Sequence, residues 1–133
     1  MSGSIATFAR LLDDSAEVLK PFIESSRRGG LHWNGSEYAS ATQDRTADPY
    51  ALAWWSTLRT IAALVASQPG LTAEQIEYLQ RELFGGMGSW NDFSLDAKRW
   101  GKKAESANDH LGRIRHELYS CFQTLRPVAP SKT

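Results

Sequence analysis

The sequence predicts an all-α protein, an antiparallel bundle of four or five helices with one long loop at about residues 27–47 and a Gly-rich connection at 85–95. Three observations predict it. Apolar residues recur at steps of three and four along most of the chain, the spacing of one helix face. Pro-Gly, Gly-Gly and Asp-Pro pairs punctuate those runs where helices stop and start. Strand-like alternation of apolar and polar residues never extends beyond a few positions. At 133 residues the chain fits one domain. We place that domain at 1–126 and expect the tail at 127–133, with Pro127 and Pro130, to fray.

The first helix carries Ile5, Phe8, Leu12, Leu19, Phe22 and Ile23 on one stripe. Pro21 lacks an amide donor and clashes with the preceding turn, so a kink or break is expected near Lys20, with helix resuming to about Ser26. From Arg27 to Ala47 the periodicity vanishes among Gly, Ser, Thr, Asp and Gln. A loop that long is usually functional, and Leu31, Trp33 and Tyr38 are its candidates for pinning it down or meeting a partner. Asp48-Pro49 has the form of an N-cap with proline at the first helical position. The helix after it, with Trp54, Leu58, Ile61 and Val65 on one stripe and Leu52, Trp55, Ala62 and Leu64 beside it, is apolar nearly all round. That marks it as the central, most buried helix. Pro69-Gly70 ends it, Thr72 with Gln75 forms a capping box, and Ile76, Leu79 and Leu83 stripe the next helix until Gly85-Gly86. A last helix is expected from Asp96, its stripe running from Trp100 through Ala104, Ala107, Leu111, Ile114 and Leu118 to Leu125.

Fifteen basic and fifteen acidic side chains cancel, so the basic excess of a nucleic-acid binder is missing. No apolar run approaches the roughly eighteen residues of a membrane span. A single cysteine, Cys121, permits no internal disulfide, and the first residues lack a signal-peptide pattern. A cytoplasmic protein with no nucleic-acid and no membrane partner is the expectation. Ser15 and Ser89 have no His-Asp partners at a recognisable spacing. His110 and His116, six apart, point about 120° away from each other on a helix and cannot share an ion. An arginine and a histidine with four to six residues between them on a helix mark a class of small ribonucleases. Arg27 and His32 match the spacing, but Gly29-Gly30 between them break the helix it needs. Neither a catalytic set, a metal site nor a cofactor is expected. Lys98, Arg99, Lys102 and Lys103 form a basic cluster, with Asp13, Asp14, Glu17 and Glu24 as its acidic counterpart on the first helix.

The most unusual string is Phe84-Gly85-Gly86-Met87-Gly88-Ser89-Trp90-Asn91-Asp92. Gly85, Gly86, Met87, Gly88, Asn91 and Asp92 are expected to be structural, with the glycines turning the chain, Met87 plugging the core and Asn91 or Asp92 bonding nearby backbone. Ser89 and Trp90 are the expected partner contacts, while a purely structural connection would have Met87, Trp90 and Phe93 together plugging the core. The string resembles the signature of a family of small uncharacterised bacterial proteins, in which it precedes a C-terminal helix bearing an Asn, a Leu, an Arg and a Leu-Tyr pair. Asn108, Leu111, Arg115, Leu118 and Tyr119 stand in similar places here, and the likeness spans roughly Ile76 to Phe122. It implies no enzymatic activity, only an association with small helical proteins that accompany bacterial toxin, antagonism or phage-defence genes.

Small size, missing catalytic residues and a surplus of Trp and Tyr point to a non-catalytic protein-binding module. Its expected form is an immunity-type protein that neutralises a cognate toxin by steric occlusion, with Ser89, Trp90, Trp33, Tyr38, Lys98 and Lys102 at the contact. Two rivals belong to other classes. One is a small enzyme or nucleotide-binding regulator that uses the Gly-rich loop with Asn91, Asp92 and Arg115. The other is a homodimeric structural helix bundle. Without a metal-ligand set, the protein should melt at the same temperature with and without EDTA. A melting point lowered by several degrees in the chelator would contradict this.

Overall fold

The computed structural model describes residues 2–29, 31–33, 38–40 and 48–129, with side chains described at 4–23 and 48–129. In chain order the elements are α1 (Ser2–Gly29), strands β1 (Leu31–Trp33) and β2 (Tyr38–Ser40), α2 (Pro49–Ala66), α3 (Ala73–Phe84), a 3-10 turn at Trp90–Asp92, α4 (Ala97–Trp100) and α5 (Lys102–Thr124). The fold is an all-α helical bundle, to which the strands add one short antiparallel ladder with Trp33 opposite Tyr38. The predicted loop at 27–47 therefore begins later and contains a hairpin, and the rest of it lies outside the described residues. His32 sits on β1, so it shares no helix with Arg27.

The core is built on α1. Phe8, Leu11, Leu12, Leu19 and Phe22 are each at most 2% exposed, and the helix packs against both α2 and α5. The apolar circumference of α2 predicts that central place for α2, and the structure corrects this to α1. In α2, Leu58, Ala62 and Val65 are buried, but Tyr50, Leu52 and Leu64 remain exposed. Apolar residues around a helix make central burial affordable, yet only neighbours on two sides produce it, and α1 has them. Nor does Pro21 break α1. Pro21 is exposed, as is Glu17, whose carbonyl loses its helical donor there, so water can take up that bond.

The helix boundaries follow from their caps. The Asp48 carboxylate accepts hydrogen bonds from the Tyr50 and Ala51 amides, both at 3.1 Å, with Pro49 behind it. Thr72 and Gln75 close the capping box reciprocally, at 2.9 and 3.2 Å. Asp96 caps α4 through the Lys98 amide. The expected continuous helix from Asp96 is instead two, because Gly101 adopts φ +67° and the chain turns before α5 begins. Trp100, expected in the core, is only half-buried at that turn and meets the Phe22 ring edge-on at 5.0 Å. Leu111, Ile114 and Leu118 are buried as the stripe predicts. Within the tail expected to fray, the Val128 amide donates to the Leu71 carbonyl at 2.8 Å, and residues 130–133 lie outside the described residues.

Leu118 is fully buried. Leu118→Ala should therefore cost about 2–5 kcal/mol in a denaturant titration. A loss below about 1 kcal/mol would contradict the packing of α5.

Candidate functional site

Past Phe84 the chain must reverse, and the glycines make this possible in different ways. A Cβ at Gly85 would collide with the Arg81 carbonyl, whereas Gly86 and Gly88 take φ of +106° and +85°. The Ser89 hydroxyl donates to the Gly86 carbonyl at 2.7 Å and accepts from the Gly86 amide at 3.3 Å. The Asp92 carboxylate accepts from the Gly88 amide at 3.1 Å. These local bonds form a compact loop that delivers Trp90 into the core.

Trp90 is 0% exposed. Its ring lies 5.4 Å from Trp54 of α2 and stacks on Phe93 at 5.7 Å. Two polar side chains of α5 hold the connection from the other side. Arg115 lies over the Trp90 ring at 4.2 Å and donates through Nη2 to the Phe93 carbonyl at 2.7 Å. Asn108 accepts from the Leu95 amide at 2.8 Å and donates to the Leu95 carbonyl at 3.0 Å. Asn108 and Arg115 are seven residues apart, which puts them on one face of α5. The sequence associates Arg115 with the Gly-rich loop only as part of a ligand site, and nothing in it marks Phe93 and Leu95 as the backbone partners of Arg115 and Asn108.

The expected roles within the string are partly exchanged. Ser89 and Trp90, assigned to partner contact, are buried at 4% and 0% and are engaged internally. Met87, assigned to the core, is 97% exposed at the tip of the loop between two positive-φ glycines. The aromatic ring, not the thioether, fills the space between α2 and α5. Gly85, Gly86, Gly88 and Asp92 serve the turn as expected. Asn91 is exposed, and the turn bond expected of Asn91 or Asp92 is the one Asp92 accepts from Gly88.

The remaining expected contacts are dispersed. Trp33 and Tyr38 face each other in register on β1 and β2, and their side chains lie outside the described residues. Lys98 and Lys102 are exposed near the start of α5. Glu24 of the acidic group lies outside the described side chains, and Asp14, Glu17 and Lys103 border one concavity. Asp13 meets Arg59 of α2 at 3.6 Å and Asp14 meets Arg10 at 3.1 Å, while the Lys103 ammonium lies over the Phe22 ring at 5.1 Å.

Of three concavities along α3, two contrast in character. Between α2 and α3 runs a groove of about 240 Å³, floored by Ile61, Val65, Leu71 and Leu79, with Leu64 and Tyr78 standing 56% and 50% exposed at its edge. Between α3, the 3-10 turn and α5 lies a more polar cleft of about 520 Å³, lined by Gln80, Phe84, Asn91, Gly112, Arg115, His116 and Tyr119. Burial lowers the Arg115 pKa to about 10, which still leaves it protonated at neutral pH.

Candidate nucleophiles are held in other roles. Ser15 is fully buried and donates to the Leu11 carbonyl. Burial raises the Cys121 pKa, with the Arg10 charge and a Thr124 hydrogen bond opposing the shift, and its thiol points to the Ser4 carbonyl. Among the described residues no group of three His, Cys, Asp or Glu is placed to hold a metal ion. No described helix is long and apolar enough to cross a membrane. Neither a family model, nor a curated protein, nor a solved structure matches the chain.

Asn108→Ala leaves the Leu95 amide and carbonyl without their side-chain partner. It should cost about 1–3 kcal/mol by urea titration. Met87→Ala, at the exposed tip, should stay within about 0.5 kcal/mol of the parent. The reverse ranking would contradict the placement of the connection.

Proposed function

We propose that the protein is a non-catalytic protein-binding module of the immunity type, which neutralises a cognate bacterial toxin by steric occlusion. The observation that carries this reading is the apolar groove between α2 and α3. Leu64 and Tyr78 are exposed beside it. Leaving such residues in water gains nothing for the monomer, and contiguous apolar surface commonly marks an interaction site. Glu74, Gln68 and Gln75 give the groove a polar border, the arrangement of an interface centre with its rim. Tyrosine suits an anchor because it combines apolar area with a hydroxyl and few rotors.

The contact therefore moves from Ser89 and Trp90 to Leu64 and Tyr78. An inhibitor acting by occlusion needs coverage rather than chemistry, and a patch of roughly 1,600 Å² is enough for a specific complex. The engaged nucleophiles and the inward-turned Gly-rich connection agree with that division of labour. The resemblance of the Phe84–Asp92 string to small helical proteins beside toxin genes adds associative support, and the cytoplasm is the compartment this reading implies.

The test is co-expression with the toxin-domain protein encoded beside the gene. The parent chain should restore growth and bind the toxin directly. Leu64→Glu and Tyr78→Ala should melt like the parent, yet weaken binding by roughly 2 kcal/mol or more if they sit at the hot spot. Protection and affinity unchanged in both variants would contradict the assignment of this groove.

A further inference from the structure

Gly112 is the eleventh residue of α5 and carries no evident structural duty there. Its φ lies outside the positive range that favours glycine, and nothing stands within 4 Å of the position a Cβ would occupy. Glycine weakens a helix interior by adding conformational freedom to the unfolded chain, so the fold alone favours alanine at this place. What the missing side chain does leave is a recess in the α5 wall of the polar cleft.

The same face of α5 presents Arg115, His116 and Tyr119, at three, four and seven residues from Gly112. Arg115 has given Nη2 to the Phe93 carbonyl and one guanidinium face to the Trp90 ring. Its Nε is buried without a partner, and Nη1 has no hydrogen bond among the described residues. Among the described residues no carboxylate lines the cleft, and the ion pairs lie elsewhere, at Arg10–Asp14 and Arg59–Asp13. Burial is the sole cause of the shift in the Arg115 pKa, with no acidic neighbour opposing it. A partly desolvated cation without a counter-charge gains from any anion that can reach it. Gln80, Asn91, His116 and Tyr119 surround it with groups able to donate hydrogen bonds.

We propose that this cleft is an oxyanion-binding site, in which a phosphate or carboxylate group seats beside Gly112 against Arg115, with Asn91, Gln80 and His116 completing its hydrogen bonds. The inference does not depend on the groove between α2 and α3. Tyr78 and Gln80 are about 200° apart around α3, so the two concavities open on opposite flanks of that helix. A clamp that merely fastened the 85–95 connection would need Arg115 but not the recess at Gly112.

The test is a nuclear magnetic resonance titration of the full chain with inorganic phosphate and, in parallel, with acetate. Saturable shifts should appear at Gly112, His116 and the Arg115 Nε–H. Saturation by phosphate alone would identify a phosphoryl ligand, and comparable saturation by acetate a carboxylate; either supports the site. Gly112→Leu fills the recess and should weaken binding at least tenfold while leaving the melting temperature equal to the parent's or higher. His116→Ala, at an exposed position, should weaken it severalfold and gives a second variant should the first fold poorly. Shifts that fail to saturate with either anion, or that gather at surface lysines such as Lys98 and Lys102, would overturn the proposal. Unchanged affinity in Gly112→Leu would do the same.

Discussion

The fully buried indole of Trp90 is the contact on which the C-terminal half depends. It touches α2 through Trp54, its own loop through Phe93 and α5 through Arg115. One side chain thus joins three parts of the chain that are distant in sequence. The apolar area it hides is large, and the guanidinium over its face adds a cation–π attraction that is stronger away from water. The arrangement also has costs. The Trp90 Nε1 and the Arg115 Nε are both buried without partners. Such a placement persists only when its surroundings over-determine it, and here they do. Ser89 closes the loop onto Gly86, Asp92 closes it onto Gly88, and Asn108 grips Leu95 from α5. The glycines turn the chain as the sequence leads one to expect, and that turn is the means by which a tryptophan reaches the core.

That division explains what the sequence could and could not disclose. Helix stops and starts were legible because their causes are local: Asp48 with Pro49, Thr72 with Gln75, and Asp96 each satisfy amides a few residues away. The stripe of α5 was legible because one face meets one core. The order of burial was not, since α2 is more apolar than α1 but α1 has neighbours on two sides. Gly101 passed unnoticed because a single glycine inside a periodic run is compatible with helix, and only its positive φ reveals the break. Met87 and Trp90 were exchanged for a similar reason. Both are large and apolar, three residues apart in an aperiodic string, and their directions depend on torsions at Gly86 and Gly88 that residue type alone leaves open.

The outward consequences follow from the same packing. With Trp90 drawn inward, α3 is held by Leu79, Leu83 and the ring of Phe84, which meets Phe122 at 5.2 Å and Tyr119 at 4.9 Å. A helix anchored along a narrow stripe leaves both flanks accessible, and each has a different character. Toward α2 the surface is apolar, suited to a protein partner. Toward α5 it is polar and cationic, suited to an anion. Neither could be read from the string itself, because Leu64, Tyr78, Gly112 and Arg115 lie outside it and come together only through the fold.

The central claim is that the 85–95 connection is anchored in the core through Ser89, Trp90 and Leu95, and is not a free recognition loop. Native-state hydrogen exchange tests it directly, because the amides of Ser89, Asp92, Phe93 and Leu95 all donate hydrogen bonds within this region. If Trp90 and its clamps hold the connection, those amides should exchange only through large-scale unfolding, with protection close to that of the α5 interior around Leu111 and Leu118. Exchange at nearly unprotected rates, while α5 stays protected, would contradict the account.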